Sequence, residues 1–308
     1  MQVISNKRRM LMGAMLAGGG YALSAPLLAA PGALLTRTIP SSGERLPVVG
    51  LGSWITFNVG DDPAARANCT EVVRAFFAGG GRLIDSSPMY GSAQAVIGHA
   101  LAQLKHPPSL FAADKVWIAS GARGPAQVDA SRGLWGVPRF DLLQVHNLLA
   151  WDEHLATLQR MKAAGRLRYV GITTSEGRRH DELVRIMQTR PIDFIQVSYN
   201  VLDREVENRI LPLARERKIA VIVNRPFRQG ALTQALAGKP LPGWAAEIGC
   251  SSWAQALLKF IASHPDVTCA IPATAKPAHA LENMLAARGP LPDTALRRRI
   301  AADVERFT

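Results

Sequence analysis

The stretch that decides the fold is Leu83-Ile-Asp-Ser-Ser-Pro-Met-Tyr-Gly91. It begins with a short apolar run, continues through Asp85 and a Ser-Ser-Pro turn, and ends in Tyr90 and a glycine. The apolar run is typical of a buried strand, and polar groups directly after such a strand are typical of the catalytic end of an α/β barrel. The stretch therefore predicts that Asp85 and Tyr90 lie at the mouth of a barrel.

Two later runs of the same kind also end in a polar group. Lys115 lies near the end of the run 110–117, and His146 near the end of the run 140–147. A carboxylate, a phenol, an ammonium and an imidazole at the ends of three strands form a set suited to proton transfer.

From Thr36 onward the chain repeats strand-then-helix units, which indicate a parallel sheet. A hairpin is predicted first, with strands Thr36–Pro40 and Arg45–Val49 around Ser41-Ser-Gly43. The eight barrel strands predicted next are Val48–Gly52, Leu83–Ser87, Leu110–Val116, Phe140–His146, Arg168–Thr173, Phe194–Tyr199, Ala220–Asn224 and Val267–Pro272. The helical patterns between them include Pro63–Ala78, Ala93–Leu104, Glu153–Ala164, Asp181–Thr189, Trp253–Ala262 and Pro277–Ala287.

Eight such units predict an α/β protein, a (β/α)8 TIM barrel with an N-terminal β-hairpin. An open doubly wound sheet would be expected to carry a Gly-x-Gly-x-x-Gly turn after its first strand. Gly50-Leu-Gly52 is followed by Ser53 and Trp54, so that turn is absent.

Composition agrees with one large domain. The chain has 308 residues, of which 48% are apolar, and a net charge of +12 that is scattered along the sequence. A scattered basic surface favours a solvated exterior over nucleic-acid binding. The three cysteines, Cys69, Cys250 and Cys269, lie in apolar or helical patterns without metal-ligand spacing, and we expect buried thiols and no metal.

The amino terminus has a different character. Lys7, Arg8 and Arg9 precede a segment from Met10 to Thr36 that has no charged residue. The pattern resembles a twin-arginine export signal, so residues 1–33 are expected to be a signal removed on export by the twin-arginine machinery to the periplasm. A permanent membrane anchor is the alternative. Residues 34–308 are then the single barrel, with 289–308 as a C-terminal tail.

Several segments together resemble the aldo-keto reductases over Thr36–Arg288. They are Gly50-Leu-Gly-Ser-Trp54, Asp85-Ser-Ser-Pro-Met-Tyr-Gly91, Lys115, Leu143-Gln-Val-His146, Gly165-Arg-Leu-Arg-Tyr-Val-Gly171, Ile271-Pro, Lys276-Pro and Glu282-Asn283. The resemblance implies a barrel of eight strands that reduces carbonyl groups with a nicotinamide cofactor. It also implies that Tyr90, Lys115, Asp85 and His146 are the four catalytic residues.

The chemistry of these four groups suits such a reaction. Hydride addition places negative charge on the carbonyl oxygen, and Tyr90 is the natural proton donor beside it. We expect Lys115 to lower the pKa of the Tyr90 phenol and Asp85 to hold Lys115 charged. His146 is expected to hydrogen-bond the carbonyl oxygen.

The resemblance also implies a cofactor site for NADP(H), with NAD(H) as the alternative. Thr173, Thr174 and Gln196 are expected at the nicotinamide amide, and Asn224 stands where many members have a stacking tyrosine. The other residues expected to bind cofactor are Gly52, Ser53, Arg225, Pro226, Phe227, Thr274, Lys276, His279, Glu282 and Asn283. His279 replaces a frequent arginine near the 2′-phosphate and is a weaker, pH-dependent partner.

The substrate is expected to be a small carbonyl compound or alcohol. Trp54, Trp117 and Asn147, with Trp151 as a further candidate, are expected to line a mouth suited to an apolar or ring-bearing molecule. Two other functions stay open at this point. One is a Schiff-base aldolase acting through Lys115, and the other is a non-catalytic sensor or accessory protein that binds the cofactor.

Overall fold

The structure is a computed structural model that describes residues 32–308. The predicted export signal lies outside the described residues, except for its last two positions. Among the described residues no helix is both long and apolar enough to cross a membrane.

The N-terminal hairpin consists of β1 (Thr36–Thr38) and β2 (Arg45–Pro47), which pair antiparallel. Both predicted strands are present, and each ends two residues before its predicted end. The connecting turn places Gly43 at φ +81°, a conformation that glycine adopts without strain.

Eight parallel strands form the barrel in sequential order. They are β3 (Leu51–Gly52), β4 (Leu83–Asp85), β5 (Phe111–Val116), β6 (Phe140–Val145), β7 (Leu167–Thr173), β8 (Phe194–Ser198), β9 (Ala220–Asn224) and β10 (Cys269–Ala270). The first and last strands meet through parallel bridges that pair Val49 with Ala270 and Gly52 with Ala273. The predicted TIM barrel with an N-terminal hairpin is confirmed.

Helices separate the strands and cover the barrel. They are α1 (Pro63–Ala78), α2 (Ala93–Gln103), α3 (Gly124–Trp135), α4 (Trp151–Ala163), α5 (His180–Thr189), α6 (Ile210–Glu216), α7 (Ala231–Ala235), α8 (Trp244–Glu247), α9 (Trp253–Ala262), α10 (Pro277–Leu285) and α11 (Thr294–Phe307). The bounds of α1 match the prediction because Asp62 caps it by accepting the Ala65 N–H, and Pro63 suits the first turn.

The C-terminal tail contains a helix that the sequence reading did not assign. Helix α11 buries Leu296, Ile300 and Val304, which recur every four residues. Arg297 on this helix donates hydrogen bonds to Tyr199 Oη and to Glu207 Oε1. The last segment of the chain is therefore packed onto the barrel.

The hairpin and an aromatic layer fill the barrel end opposite the strands' carboxyl ends. Inside the barrel, Phe111 stacks on Tyr169 with ring centroids 5.8 Å apart, and Phe194 packs against both. Tyr169 Oη donates a hydrogen bond to Ser42 Oγ in the hairpin turn, and Glu44 beside it pairs with Arg168. This end of the barrel is a closed, packed floor.

Candidate active site

The centre of the site is an ion pair inside the mouth of the barrel. Lys115 Nζ lies 2.5 Å from Asp85 Oδ2, and neither residue is more than 1% exposed. Lys115 also donates a hydrogen bond to the Ser86 carbonyl oxygen at 2.7 Å. The other carboxylate oxygen, Asp85 Oδ1, accepts hydrogen bonds from the amides of Gln144 and Gln196. The lysine is thus fixed at a single position.

This environment decides the charge of Lys115. Burial alone would lower its pKa, but the Asp85 carboxylate and the Tyr90 phenol together raise it above its ordinary value. The ammonium form is favoured throughout the neutral range.

Tyr90 lies beside the ion pair, with Lys115 Nζ 5.0 Å from the centre of its ring. Burial raises the pKa of the Tyr90 phenol, the Lys115 ammonium opposes this, and the Asp85 carboxylate reinforces it. The net direction is upward because burial outweighs the ammonium, while the contribution of Lys115 itself is downward, as expected.

His146 packs edge-on against Tyr90, with ring centroids 5.6 Å apart. Its Nδ1 lies 2.7 Å from Ser87 Oγ, which leaves Nε2 as its other polar atom. Burial and the nearby Lys115 charge lower the pKa of His146 to about 2, so the imidazole is neutral. A neutral ring with one nitrogen engaged can donate from the other.

One cavity of about 800 Å³ opens over these residues. Of the proposed catalytic residues, Asp85, Tyr90 and His146 line it, and Lys115 lies beneath it. The predicted cofactor and substrate residues that also line it are Gly52, Ser53, Trp54, Asn147, Thr173, Gln196, Asn224, Arg225, Pro226, Phe227, Thr274, His279, Glu282 and Asn283. Segments far apart in the sequence thus share one cavity.

Four of the predicted cofactor and substrate residues lie outside the cavity lining. Trp117 is 40% exposed, and its backbone N–H donates to Gln127 Oε1. Trp151 donates from Nε1 to Glu182 Oε1. Thr174 is buried with its Oγ1 unpartnered among the described residues. Lys276 is exposed at the N-terminus of α10.

Two of the polar residues expected near the nicotinamide, Thr173 and Asn224, already make hydrogen bonds within the protein. Thr173 Oγ1 accepts the Asn147 N–H at 2.9 Å. Asn224 donates to the Thr174 carbonyl oxygen at 3.0 Å and accepts from Ser198 Oγ at 2.6 Å. Asn224 therefore connects the ends of β7, β8 and β9 at the position where a tyrosine is frequent.

Sequence reading missed a charged cluster on the cavity wall. The Glu176 carboxylate pairs with Arg225 at 2.8 Å and with Arg178 at 2.8 Å. No sequence signal marked this cluster, because Glu176 and Arg178 follow β7 in a polar loop typical of solvent exposure. Only the fold brings them to the cavity.

Two further parts of the lining were also missed. Ile55 and Met89 are exposed apolar side chains on the cavity wall. In the sequence, Ile55 follows Trp54 and Met89 precedes Tyr90. Residues between Gln229 and Ala254 supply another stretch of wall, including Lys239 and Ser252. The segment carries no regular periodicity that would have marked it.

Comparison with known proteins agrees with this geometry. The chain is 29% identical over 253 residues to "Methylglyoxal reductase YeaE" of Escherichia coli, an alignment covering 80% of this chain and 88% of the relative. It is 28% identical over 233 residues to "NADH-specific methylglyoxal reductase" of the same organism, covering 64% and 68%.

Solved structures share the fold. An aldo-keto reductase from Klebsiella pneumoniae in complex with NADPH superposes with a TM-score of 0.72 at 22% identity, covering 89% of this chain and 95% of that one. The family model described as "Aldo/keto reductase family" matches residues 48–299, which span the whole barrel and the site just described. The chain belongs to the aldo/keto reductase family.

Proposed function

We propose that the protein is an NADP(H)-dependent oxidoreductase that reduces an aldehyde or ketone to an alcohol by hydride transfer. The observation that carries the proposal is the convergence of Tyr90, Lys115, Asp85 and His146 at one end of the barrel. Three of them face a cavity large enough for a cofactor together with a small substrate.

The donor set around the cavity suits a nicotinamide dinucleotide. Gln196 and Asn224 line the cavity, and their side-chain amides can each donate hydrogen bonds to a nicotinamide amide and accept them from it. At the other end, Lys276 and His279 stand at the N-terminus of α10, where a phosphate is favoured. When bound, a reduced nicotinamide supplies the hydride. The Klebsiella protein carries NADPH and one relative is named NADH-specific, so NADP(H) is proposed and NAD(H) is the alternative.

Tyr90 is proposed as the general acid. As the carbonyl carbon receives the hydride, the proton on Tyr90 Oη passes to the carbonyl oxygen, and the phenolate left behind is stabilised by Lys115. Asp85 keeps Lys115 charged and in place, because an unpaired ammonium in this buried position would be strongly disfavoured.

His146 is proposed to orient the carbonyl group. If Ser87 donates its hydroxyl hydrogen to Nδ1, then Nε2 carries the ring proton and can donate it to the carbonyl oxygen. The oxygen would then rest between Tyr90 Oη and His146 Nε2, which fixes the face of the carbonyl that receives the hydride.

The raised pKa of Lys115 weighs against the Schiff-base aldolase, which needs a neutral amine as nucleophile. The two methylglyoxal reductases among the relatives make methylglyoxal the first substrate to assay. The non-catalytic alternative predicts cofactor binding without turnover.

The test is a carbonyl panel that includes methylglyoxal, assayed with NADPH and NADH through loss of the reduced cofactor. Tyr90→Phe should lower kcat by about 10²- to 10⁴-fold because the proton donor is gone. Its dissociation constant for cofactor should stay within about threefold of the parent value. Tight cofactor binding with no turnover of any carbonyl would instead favour the sensor or accessory protein.

We also propose that residues 1–33 act as a twin-arginine export signal and that residues 34–308 work in the periplasm. The support is sequence alone: Arg8 and Arg9 before a long uncharged segment. A retained membrane anchor is the alternative.

A further inference from the structure

A second buried carboxyl group lies directly behind the proposed catalytic lysine. Asp114 on β5 is 0% exposed. Its Oδ2 accepts a hydrogen bond from Gln94 Nε2 on α2 at 2.7 Å, and its Oδ1 accepts one from the Lys115 backbone N–H at 2.8 Å. Gln94 Nε2 also donates to Ser131 Oγ on α3 at 2.9 Å. The proposed mechanism gives Asp114 no role.

The position of Asp114 follows from the alternation of a strand. Neighbouring residues of a strand point to opposite faces, so Lys115 faces the barrel interior and Asp114 faces the helices. The apolar neighbours of Asp114 on that side, Ala112 and Val116, belong to the core between barrel and helices. Gln94, which donates to Asp114 there, and Ser131, which accepts from Gln94, are both neutral.

Asp114 has no cation within ion-pair distance in residues 32–308, although buried carboxylates usually have one. The charged groups that act on it are Lys115 and Asp85, across the strand layer. Burial raises the pKa of Asp114 to about 7, and both hydrogen bonds from Lys115 N and Gln94 oppose that rise. The carboxylate form is therefore available at neutral pH and dominates at alkaline pH.

The ionised form changes the electrostatics at Tyr90. Asp85 and Lys115 neutralise each other, so the Asp114 charge is not balanced by any cation of the site. Asp114 directly precedes Lys115 on β5, and Lys115 Nζ lies 5.0 Å from the centre of the Tyr90 ring, so both residues of this strand act on the phenol. A second negative charge near a phenol disfavours phenolate, and the Asp114 charge acts in that direction.

We propose that Asp114 is a positioning residue that acts on Tyr90 from behind β5: its carboxylate anchors the Lys115 backbone and adds negative charge that keeps the phenol protonated. The consequence for catalysis rests on the proposed role of Tyr90 as the acid. The effect of the Asp114 charge on tyrosinate formation does not depend on that role.

The experiment is a pH titration of tyrosinate by ultraviolet absorbance on the purified full chain. The chain has four tyrosines, so the difference between the parent and Tyr90→Phe isolates Tyr90. The same difference is then taken in an Asp114→Asn background. We expect the Tyr90 transition to move to lower pH by about half a unit to one unit, the effect of one charge through a medium of intermediate dielectric. Circular dichroism at each pH verifies that the chain is folded.

Asp141→Asn is the matched control. Asp141 also accepts a hydrogen bond from a β5 backbone N–H, that of Ala112 at 2.8 Å, but it pairs with Arg168. This variant removes a similar contact to the same strand and should leave the Tyr90 transition unchanged. Asp114→Ser is the second variant if Asp114→Asn does not fold. It removes the same negative charge, so a shift of similar size in the same direction is expected.

An unchanged Tyr90 transition in folded Asp114→Asn overturns the inference, and so does an equal shift in Asp141→Asn. An absence of carbonyl reduction by the parent would contradict the proposed function and leave the titration result standing. With an active parent, the alkaline limb of kcat for reduction should move with the Tyr90 transition. A lower kcat at every pH without that movement would show a merely structural role.

Discussion

At the scale of single residues, the surroundings of each group set its charge. Asp85 keeps Lys115 charged, and burial keeps the Tyr90 phenol protonated and the His146 imidazole neutral. Tyr90, Lys115, Asp85 and His146 were all found from their positions after strands, because strand ends meet at the barrel mouth. Lys115 lowers the pKa of Tyr90 as predicted, but the net rise of that pKa depends on burial and on the sum of several charges, which the sequence does not show. Asp114 was passed over because its side-chain partner, Gln94, comes from another element, helix α2.

The raised pKa of Tyr90 and the neutral His146 predict the pH dependence of the two reaction directions. Reduction needs the protonated phenol, so kcat for reduction should stay flat from about pH 6 to about pH 9 and fall at higher pH. Alcohol oxidation needs phenolate, so its kcat should rise across the same interval. Steady-state kinetics in overlapping buffers measure both. A loss of reduction between pH 6 and pH 8 would contradict the assignment of Tyr90 as the acid.

We predict that substitution of His279 changes the preference between NADPH and NADH. The residue lies on the cavity wall near the start of α10, where an arginine would hold a phosphate by two hydrogen bonds with permanent charge. His279→Arg should lower KM for NADPH by about 3- to 10-fold and leave KM for NADH within about twofold. Arg288→Lys, a change of a cation outside the cavity, is the control. Equal effects on both cofactors would show that His279 is not near the 2′-phosphate.

At the scale of elements, a helix is predictable where its ends carry signals. Helix α1 has a capping aspartate and a first-turn proline, and its predicted bounds are the observed ones. Helix α11 also has a capping residue, Asp293, and an apolar residue every fourth position, but residues 289–308 were predicted only as a tail. The segment between Gln229 and Ser251 had no such signal, and only tertiary structure brings it to the cavity.

We predict that Ile55, in the loop after β3, contributes to substrate preference. Ile55 has φ +65°, which is strained for a β-branched residue, and its side chain is 61% exposed on the cavity wall. Asparagine adopts this backbone more easily but removes the apolar surface. Ile55→Asn should lower kcat/KM for hexanal about 3- to 10-fold, change that for methylglyoxal less than about twofold, and leave the free energy of unfolding undiminished.

Leu134→Asn is the matched control, because Leu134 is 49% exposed on α3 and lies outside the cavity lining. Steady-state kinetics and urea unfolding measure the two effects. An equal loss for both substrates would show that Ile55 does not contact the part of the substrate beyond its carbonyl group.

At the scale of the whole molecule, the fold could be predicted because eight consecutive strand–helix units have few alternatives to a closed parallel barrel. What the described residues add is that the site draws on almost every strand of the barrel, from Gly52 on β3 to Thr274 after β10. A site of this kind exists only in the folded chain. The twin-arginine route exports folded proteins, so it is consistent with an enzyme that binds its cofactor before export.

This consistency leads to a prediction on export. Arg8→Lys combined with Arg9→Lys should leave most of the protein in the cytoplasm, while the parent is recovered mainly from the periplasm with nucleotide bound. Cell fractionation and the absorbance of nucleotide released on denaturation measure the two results. Arg37→Lys is the control. Parent protein that reaches the periplasm without nucleotide would contradict export of the loaded enzyme.

The packed floor of the barrel has a consequence for how Tyr90 is reprotonated. Phe111, Tyr169 and the hairpin close one end, so among the described residues the cavity over Lys115 and Asp85 opens at the other end, the mouth. Under the proposed function, a cofactor and a substrate bound in that mouth would separate Tyr90 from solvent. The phenol would then donate one proton per turnover and regain a proton only after product leaves. Reprotonation of the acid and release of product would therefore be coupled.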